Sequence, residues 1–409
     1  MAWLSTPAHA RWLEDETDRL LDFGRPSAVT GGFARQDEAG APVDGPLELW
    51  VACRMTHVYA IGHLLGRPGS AALVDHGIEA LTGAFHDDEH GGWFAEVERD
   101  GTPRDTDKAA YPHAFVILAA SSATTAGRPG ARALLGEALA VSEQRFWDDE
   151  AGMVVEQWDR TFGTLDGYRG VNANMHTVEA YLAAADVTGE RVWLERAVRM
   201  VERVVHRWAA GNSWRIPEHF DARWAPDLEY NADTPAHPFR PYGATIGHWL
   251  EWARLTLHTR AALTARGDVA PAWMLDDAIS LFDAAAREGW AVDGAPGFVY
   301  TVDWSGAPVV RERMHWVAAE AVAAAAALHA VTGEDRFDDA YTQWWEYIGT
   351  YHLDRVGGSW WHELGTDNSV SRTVWAGKAD LYHAVQATLV PRLPLTPMIA
   401  PALAAGLLD

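Results

Sequence analysis

Several stretches of this sequence set two chemically useful side chains three or four residues apart. The pairs are Arg54 and His57, Asn172 and His176, His248 and Glu251, Trp316 and Glu320, and Asp380 and His383, with Tyr111 and His113 closely spaced in a sixth stretch. On a helix, such spacings put both members on one face. Two imidazoles facing one hollow, His248 and His383, can take a proton from carbon and return it elsewhere near neutral pH. Arg54 can hold an enediolate oxygen through charge-assisted hydrogen bonds. Glu251 and Glu320 can accept hydrogen bonds from hydroxyls or orient the imidazoles. The chain has 21 Trp against 11 Tyr and 12 Phe, which suggests an aromatic-walled cavity suited to the C–H faces of a sugar ring. The set fits proton transfer beside a sugar carbonyl, meaning aldose–ketose isomerisation or 2-epimerisation. Each residue also has a plainer reading. Arg54 could be one half of a buried ion pair, and Glu251 or Glu320 alone could be a salt-bridge partner. His57, His63, His76, His206, His258 and His329 read as structural. Recurrence at one position of successive repeats favours a shared site.

The elements that must position these residues are helices. Apolar residues recur at three and four, as in Leu49, Cys53, Thr56, Ala60 and Leu64. This patterning predicts twelve helices, at 8–24, 46–66, 70–85, 108–127, 131–147, 172–188, 191–209, 243–266, 271–288, 312–332, 335–353 and 373–391. Similar breaks follow Phe85, Phe146 and Leu353: an acidic turn, then glycine, then aromatic or β-prone residues. Gly92 to Arg99 and Gly297 to Trp304 read as short hairpin strands. Six helix pairs without a long linker predict an all-α fold, a closed toroid forming a single domain over 1–409, rather than an open solenoid. The polar residues lie near the start of the second helix of each pair. Arg54, Tyr111, Asn172, His248, Trp316 and Asp380 follow at intervals that track the repeat. They should therefore converge at the end of the ring where helix N-termini favour an oxygen-rich ligand.

Composition narrows the classes. With 57 acidic and 33 basic residues the formal charge is −24, which argues against nucleic acid and against an anionic membrane surface. Hydrophobic residues make 48% and charged residues 22%, ordinary for a folded protein. The lone Cys53 cannot form an internal disulfide, and no cysteine cluster offers a zinc site. A cytoplasmic protein without signal peptide or membrane span is expected. No phosphate-binding loop, dinucleotide fingerprint or nucleophile elbow is present. The chemistry requires no metal and no cofactor, and the expected partner is a small monosaccharide, acted on by a monomer or homodimer.

Four motifs carry a family likeness. The stretch Arg240-Pro-Tyr-Gly-Ala-Thr-Ile-Gly-His-Trp-Leu-Glu-Trp252 resembles the signature of the N-acylglucosamine 2-epimerase superfamily. So do His315-Trp-Val-Ala-Ala-Glu320, Asn172-Ala-Asn-Met-His176 and Gly377-Lys-Ala-Asp-Leu-Tyr-His383. The likeness spans nearly the whole chain, from Arg54 to His383, and the four motifs look most like the aldose–ketose isomerase branch. The resemblance implies an (α/α)6 barrel with short β-hairpin loops at the active-site end, and no metal. It implies that His383 moves the C2/C1 proton through a cis-enediol, that His248 is the second acid/base, and that His176 helps open the ring. Glu251 and Glu320 would then support the histidines or bind hydroxyls, while Arg54, Tyr111, Asn172, Trp316 and Asp380 hold the substrate. Three positions depart from the pattern: Ile246 in place of proline, Trp249 in place of a small residue, and Ala379 in place of the glutamine of sulfosugar enzymes. Trp249 is expected to narrow the cavity, and Ala379 removes a sulfonate donor. Both favour a neutral sugar, D-mannose going to D-fructose, with sulfoquinovose, D-lyxose or 2-epimerisation as alternatives. A glycoside hydrolase or lyase on the same toroid would need two spaced carboxylates, for which Glu251 and Glu320 could nominally serve. A non-catalytic sugar-binding protein would also fit such a cavity.

Overall fold

A computed structural model describes residues 3–408. Its helices are α1 (Pro7–Gly24), α2 (Leu49–Leu64), α3 (Ser70–Thr82), α4 (Ala110–Thr125), α5 (Ala131–Val141), α6 (Val171–Thr188), α7 (Arg191–Val201), α8 (Ile246–Ala265), α9 (Trp273–Gly289), α10 (His315–Thr332), α11 (Asp335–Tyr347), α12 (Tyr382–Leu389) and α13 (Ile399–Ala404). The even-numbered helices from α2 to α12 pack side by side in an inner ring that closes α12 onto α2. The odd-numbered helices from α3 to α11 each cover the inner helix before them, and α1 covers α12. The fold is therefore an (α/α)6 barrel. Its layering follows from the side chains. Inner α10 is buried along nearly its whole length, and its run of alanines lets neighbours approach closely. Outer α7 buries Trp193, Leu194, Ala197, Met200 and Val201 on one stripe and turns Arg191, Glu195 and Arg199 outward.

The collar at the N-terminal end of the inner ring repeats one device. A two-residue strand precedes each of α2, α4, α6, α8 and α10, and pairs antiparallel with a strand in the loop ahead. The pairs are Leu47–Glu48 with Glu96–Val97, Lys108–Ala109 with Gln157–Trp158, and Arg169–Gly170 with His219–Phe220. Ala244–Thr245 pairs with Thr301–Val302, and Arg313–Met314 with Glu363–Leu364. Just before each loop strand, a carbonyl accepts the first amide of the inner helix. Ala95, Glu156, Glu218, Tyr300 and His362 take Leu49, Ala110, Val171, Ile246 and His315 at 2.7–3.1 Å. These amides are thus satisfied by backbone rather than left for a ligand.

The recurrent acidic turns have a partner. The Asp87 carboxylate caps the amides of Glu89 and His90 and holds Lys108 Nζ at 2.9 Å, just before α4. Asp354 caps Val356 and Gly357 and holds Lys378 Nζ at 2.7 Å, on the approach to α12. Asp293 holds Arg313 at 2.6 Å, just before α10. These three turns each pin a cation that precedes a later inner helix, whereas the turn after Phe146 pairs its Asp149 with Arg199 of α7.

The structure departs from sequence expectation in three places. Helices α5, α7 and α11 end in wider π-helical turns, Ser142–Phe146, Glu202–Ala209 and Ile348–His352, instead of running on as α-helix. The last inner helix starts at Tyr382, not at 373. Residues 373–381 form a loop because the Glu363 carboxylate captures the amides of Thr373, Val374 and Trp375 at 2.6–2.7 Å. Gly377 then takes a left-handed turn (φ 74°) against the Gln36 carbonyl, where any side chain would collide. Asp380 therefore sits on a loop. The short helix α13, absent from the expected set, buries Ile399, Ala400, Ala402 and Leu403 against α2, α4 and α6.

Candidate active site

The inner helices present two layers of side chains to the barrel axis. Trp50, Tyr111, Asn172, Trp316 and His383 are the second residues of α2, α4, α6, α10 and α12, and His248 is the third of α8. One turn deeper, in sixth position, lie Arg54 (α2), Phe115 (α4), His176 (α6), Glu251 (α8) and Glu320 (α10). In α8 the second residue is Gly247. A side chain there would meet the Trp316 ring at 2.3 Å, so glycine lets that indole lie beside His248. The layers enclose a funnel of about 710 Å³, open mouth included.

Nine of the ten residues singled out from sequence line this funnel: His383, His248, His176, Glu251, Arg54, Tyr111, Asn172, Trp316 and Asp380. Glu320, expected to bind substrate hydroxyls or to support a histidine, does not line it. Its Oε1 accepts from His383 Nδ1 at 3.0 Å and its Oε2 from Arg254 Nε at 2.8 Å, so it stands behind His383. Trp249, expected to narrow the cavity, is fully buried and does not line it. His113 packs outside the funnel, against Trp93 and Phe146. Sequence reading missed Trp50, Glu218, Tyr300, His315 and His362. Glu218, Tyr300 and His362 occupy the same loop position, one per repeat, whose carbonyl receives an inner helix. Aligning the loops as well as the helices would have exposed it.

His248 and His383 flank Trp316, with ring centres 5.4 and 5.6 Å from the indole. The Nδ1 of each faces a carboxylate: Glu218 Oε2 at 2.9 Å for His248, and Glu320 for His383. A carboxylate oxygen accepts, so Nδ1 carries the hydrogen, and Nε2 of a neutral ring keeps its lone pair for the cavity. Burial, then the nearby Arg54 charge, lowers the proton affinity of His383 against the opposing pull of Glu320. His383 therefore rests as a neutral base.

The Arg54 guanidinium bonds Asp380 Oδ2 at 3.1 Å and the Tyr111 hydroxyl at 3.0 Å, and stacks over Phe115, Tyr382 and Trp50. Burial disfavours the Asp380 charge, but Arg54 outweighs it and holds this carboxylate below the usual range. Burial pushes the Tyr111 phenol up to about 12, so it remains a hydroxyl. Glu251 is fully buried, with no hydrogen-bond partner on either oxygen; His176 Nδ1 is 3.7 Å away and Arg254 Nη2 3.6 Å. Burial and the neighbouring Glu320 charge raise its proton affinity, so it sits as a neutral acid. Glu320 resists the same burial because Arg254 and His383 hold it at about 2. Burial also lowers His176 well below the ordinary histidine range.

Glu251, Glu320 and His383 offer donor atoms within 4.8 Å of one another, a spacing a cation could use. Arg254, close to both carboxylates, already supplies the positive charge there. The donor set is thus a buried cluster of two carboxyl groups, one imidazole and one guanidinium.

A toroid of helix pairs with paired, carboxylate-backed histidines in an aromatic, hydroxyl-binding funnel defines a sugar isomerase or epimerase type of barrel. The chain belongs to the N-acylglucosamine 2-epimerase family, whose model matches residues 31–387. A D-mannose isomerase from Thermobifida fusca is 52% identical over 405 residues, 98% of each chain. One from Pseudomonas cannabina pv. alisalensis is 50% identical, covering 98% of this chain and 97% of its own. A crystal structure of D-mannose isomerase superposes with a TM-score of 0.86 at 28% identity, over 94% of this chain and 98% of that one. Among the described residues, no helix is long and apolar enough to cross a membrane.

Proposed function

We propose that this chain is a single catalytic domain that interconverts D-mannose and D-fructose in the cytoplasm, by histidine acid/base chemistry without a metal. The observation that carries the reading is the pair His248 and His383, set on either side of Trp316 with both Nε2 atoms directed to one funnel. The similarity to proteins named D-mannose isomerase supports the substrate.

His176, backed by the neutral Glu251, assists opening of the pyranose by exchanging protons with the ring oxygen and the anomeric hydroxyl. Neutral His383 then removes the C2 proton. The C1=O1 electrons move onto O1 as C1=C2 forms, and His248 takes the O2 proton at Nε2 and passes it to O1, so the cis-enediol stage is crossed with every proton accounted for. His383 then returns its proton to C1 on the same face. Overall one hydrogen moves from C2 to C1 and one from O2 to O1. His248 handles the oxygen protons, and Arg54 with Tyr111 stabilises the negative charge that develops on oxygen.

A neutral sugar is favoured over a sulfosugar because Arg54 is already committed to Asp380 and Tyr111, and Ala379 offers the funnel no donor. In D2O, proton NMR should show fructose forming from mannose, with deuterium entering at C1 to the extent that the proton held on His383 exchanges with solvent before it is returned. His383→Ala should still bind sugar, and should lose C2 proton exchange by at least ~100-fold. Exchange at the parent rate in that variant, or turnover of sulfoquinovose alone, would overturn the proposal.

A further inference from the structure

The inner ring has a third tier below the funnel. His57, Leu118, Glu179 and Arg254 are the ninth residues of α2, α4, α6 and α8. The first three join Ser121, Ser122 and Gln386 in the wall of a separate cavity at the barrel floor, about 270 Å³ with its open mouth. Met398 to Pro401, at the start of α13, form its outer wall, and it shares no lining residue with the funnel. Three polar atoms of this wall are buried without a hydrogen-bond partner: His57 Nε2, Ser121 Oγ and Gln386 Oε1. Their residues are only 1–3% exposed. Gln386 donates Nε2 to Glu179 Oε1 at 3.0 Å, which leaves its Oε1 purely an acceptor. His57 Nδ1 lies 2.7 Å from Ser122 Oγ, and burial lowers the ring to about 3, so it is neutral. Buried polar atoms left unpaired mark the place of a missing partner.

Charge decides what that partner is. Glu179 accepts hydrogen bonds from the Tyr382 hydroxyl and the Gln386 amide, one on each oxygen, as a carboxylate does. It shares the guanidinium of Arg254 with Glu320 and the neutral Glu251. Arg54 is already matched by Asp380. Among the described residues, one buried negative charge is therefore left over, and an uncompensated charge in such a place is costly. The inner helices also turn their C-terminal ends, the negative ends of their dipoles, toward this floor. A single excess charge and mostly neutral ligands suit a monovalent cation, whereas calcium and magnesium call for more carboxylates or a water shell.

The geometry points to a monovalent cation site on the barrel floor, formed by Glu179, Gln386 Oε1 and Ser121 Oγ with His57 beside them, that takes an alkali-metal or ammonium ion. The ion fixes Glu179, which holds Tyr382, the neighbour of His383, and Gln386, one turn further along α12. Its binding thus steadies the helix that carries the proposed base. The effect on turnover rests on reading the funnel as the mannose site, and the binding itself does not.

The test exchanges the full chain into choline chloride. KCl, NaCl, RbCl or NH4Cl then replaces choline at constant chloride and ionic strength. Melting is followed by circular dichroism, kcat is measured at saturating mannose, and crystals grown in RbCl are examined for anomalous scattering. At least one ion should raise the melting midpoint saturably by about 2 °C or more. The same ion should raise kcat at least ~2-fold, since small displacements of a reacting group cost rate. Rubidium should scatter from between Glu179, Ser121 and Gln386. Ser121→Ala should raise the half-saturating ion concentration at least ~10-fold, the loss of about one good ligand. Glu179→Gln, which removes the charge, should melt alike in choline and in the alkali salts. A midpoint indifferent to the ion, a cavity that holds water only, or an ion response kept in full by both variants would overturn the proposal. An ion that binds and stabilises without moving kcat would refute the coupling to His383 and uphold the site. If the parent fails on mannose itself, the functional reading falls, and melting and scattering still decide the site.

Discussion

His248 and His383 differ in what stands behind them. The Glu320 carboxylate behind His383 is shared with Arg254, so part of its charge is spent. Glu218 behind His248 has no ion pair other than His248 among the described residues, and its second oxygen accepts the Thr245 amide at 3.3 Å. On the proposed mechanism, Glu218 would act as a positioning residue that compensates the charge His248 gains when it takes a proton. Glu218→Gln keeps an acceptor for Nδ1 but removes the charge. It should lower kcat by about 100-fold with little change in KM, and should move the pH profile. Unchanged kcat and profile would reject the role. The two inner glutamates should also part in stability. Glu251→Gln replaces a neutral acid by a neutral amide and should alter unfolding free energy by less than about 1 kcal/mol. Glu320→Gln strands the buried Arg254 and should cost about 3–5 kcal/mol, read by urea unfolding. The funnel side chains on helices were legible because periodicity marks a shared face. Glu218 was not, because a loop residue has no period of its own. For Glu320 the sequence left hydroxyl binding and support of a histidine both open, because spacing fixes a face and not the neighbour that reaches it first.

At the scale of elements, the buried Lys378 ties the Asp354 turn to the loop that delivers Asp380 to Arg54. Lys378→Met fills the same space between Phe23 and Trp361 but leaves Asp354 uncompensated. Stability should fall by about 3–5 kcal/mol, and KM for mannose should rise as Asp380 loosens. Chemical denaturation and steady-state kinetics check the two effects separately, and a stable variant with unchanged KM would show the staple to be idle. Helix positions were readable from apolar spacing almost throughout, since an inner or outer helix must keep its stripe. The stretch 373–381 deceived because Val374, Ala376, Ala379 and Leu381 mimic that stripe. The carboxylate that unwinds it, Glu363, lies ten residues earlier in the same connection, outside any helical stripe. The π-helical ends of α5, α7 and α11 were equally hidden, because one widened turn leaves the local composition unchanged.

For the whole molecule, closure depends on a pairing between opposite ends of the sequence. Helix α1 covers α12, with Thr17 Oγ1 2.7 Å from Thr388 Oγ1, and Glu16 accepts the Trp360 indole N–H at 2.7 Å. Deleting residues 1–24 should expose the apolar back of α12 and abolish the cooperative thermal transition. A truncated chain that melts in one sharp step would refute the dependence on α1. The ring itself was foreseeable, since six repeats with inward polar faces have few other ways to share one hollow. That the first helix serves the last pair was not spelled out by any motif. It also carries a penalty during biosynthesis. The Thr17–Thr388 contact spans 371 residues, so α1 leaves the ribosome with its greasy stripe uncovered long before its mate is translated. Until then it must be shielded by a chaperone or by transient self-association, and slow translation of the final repeat would lengthen that exposure.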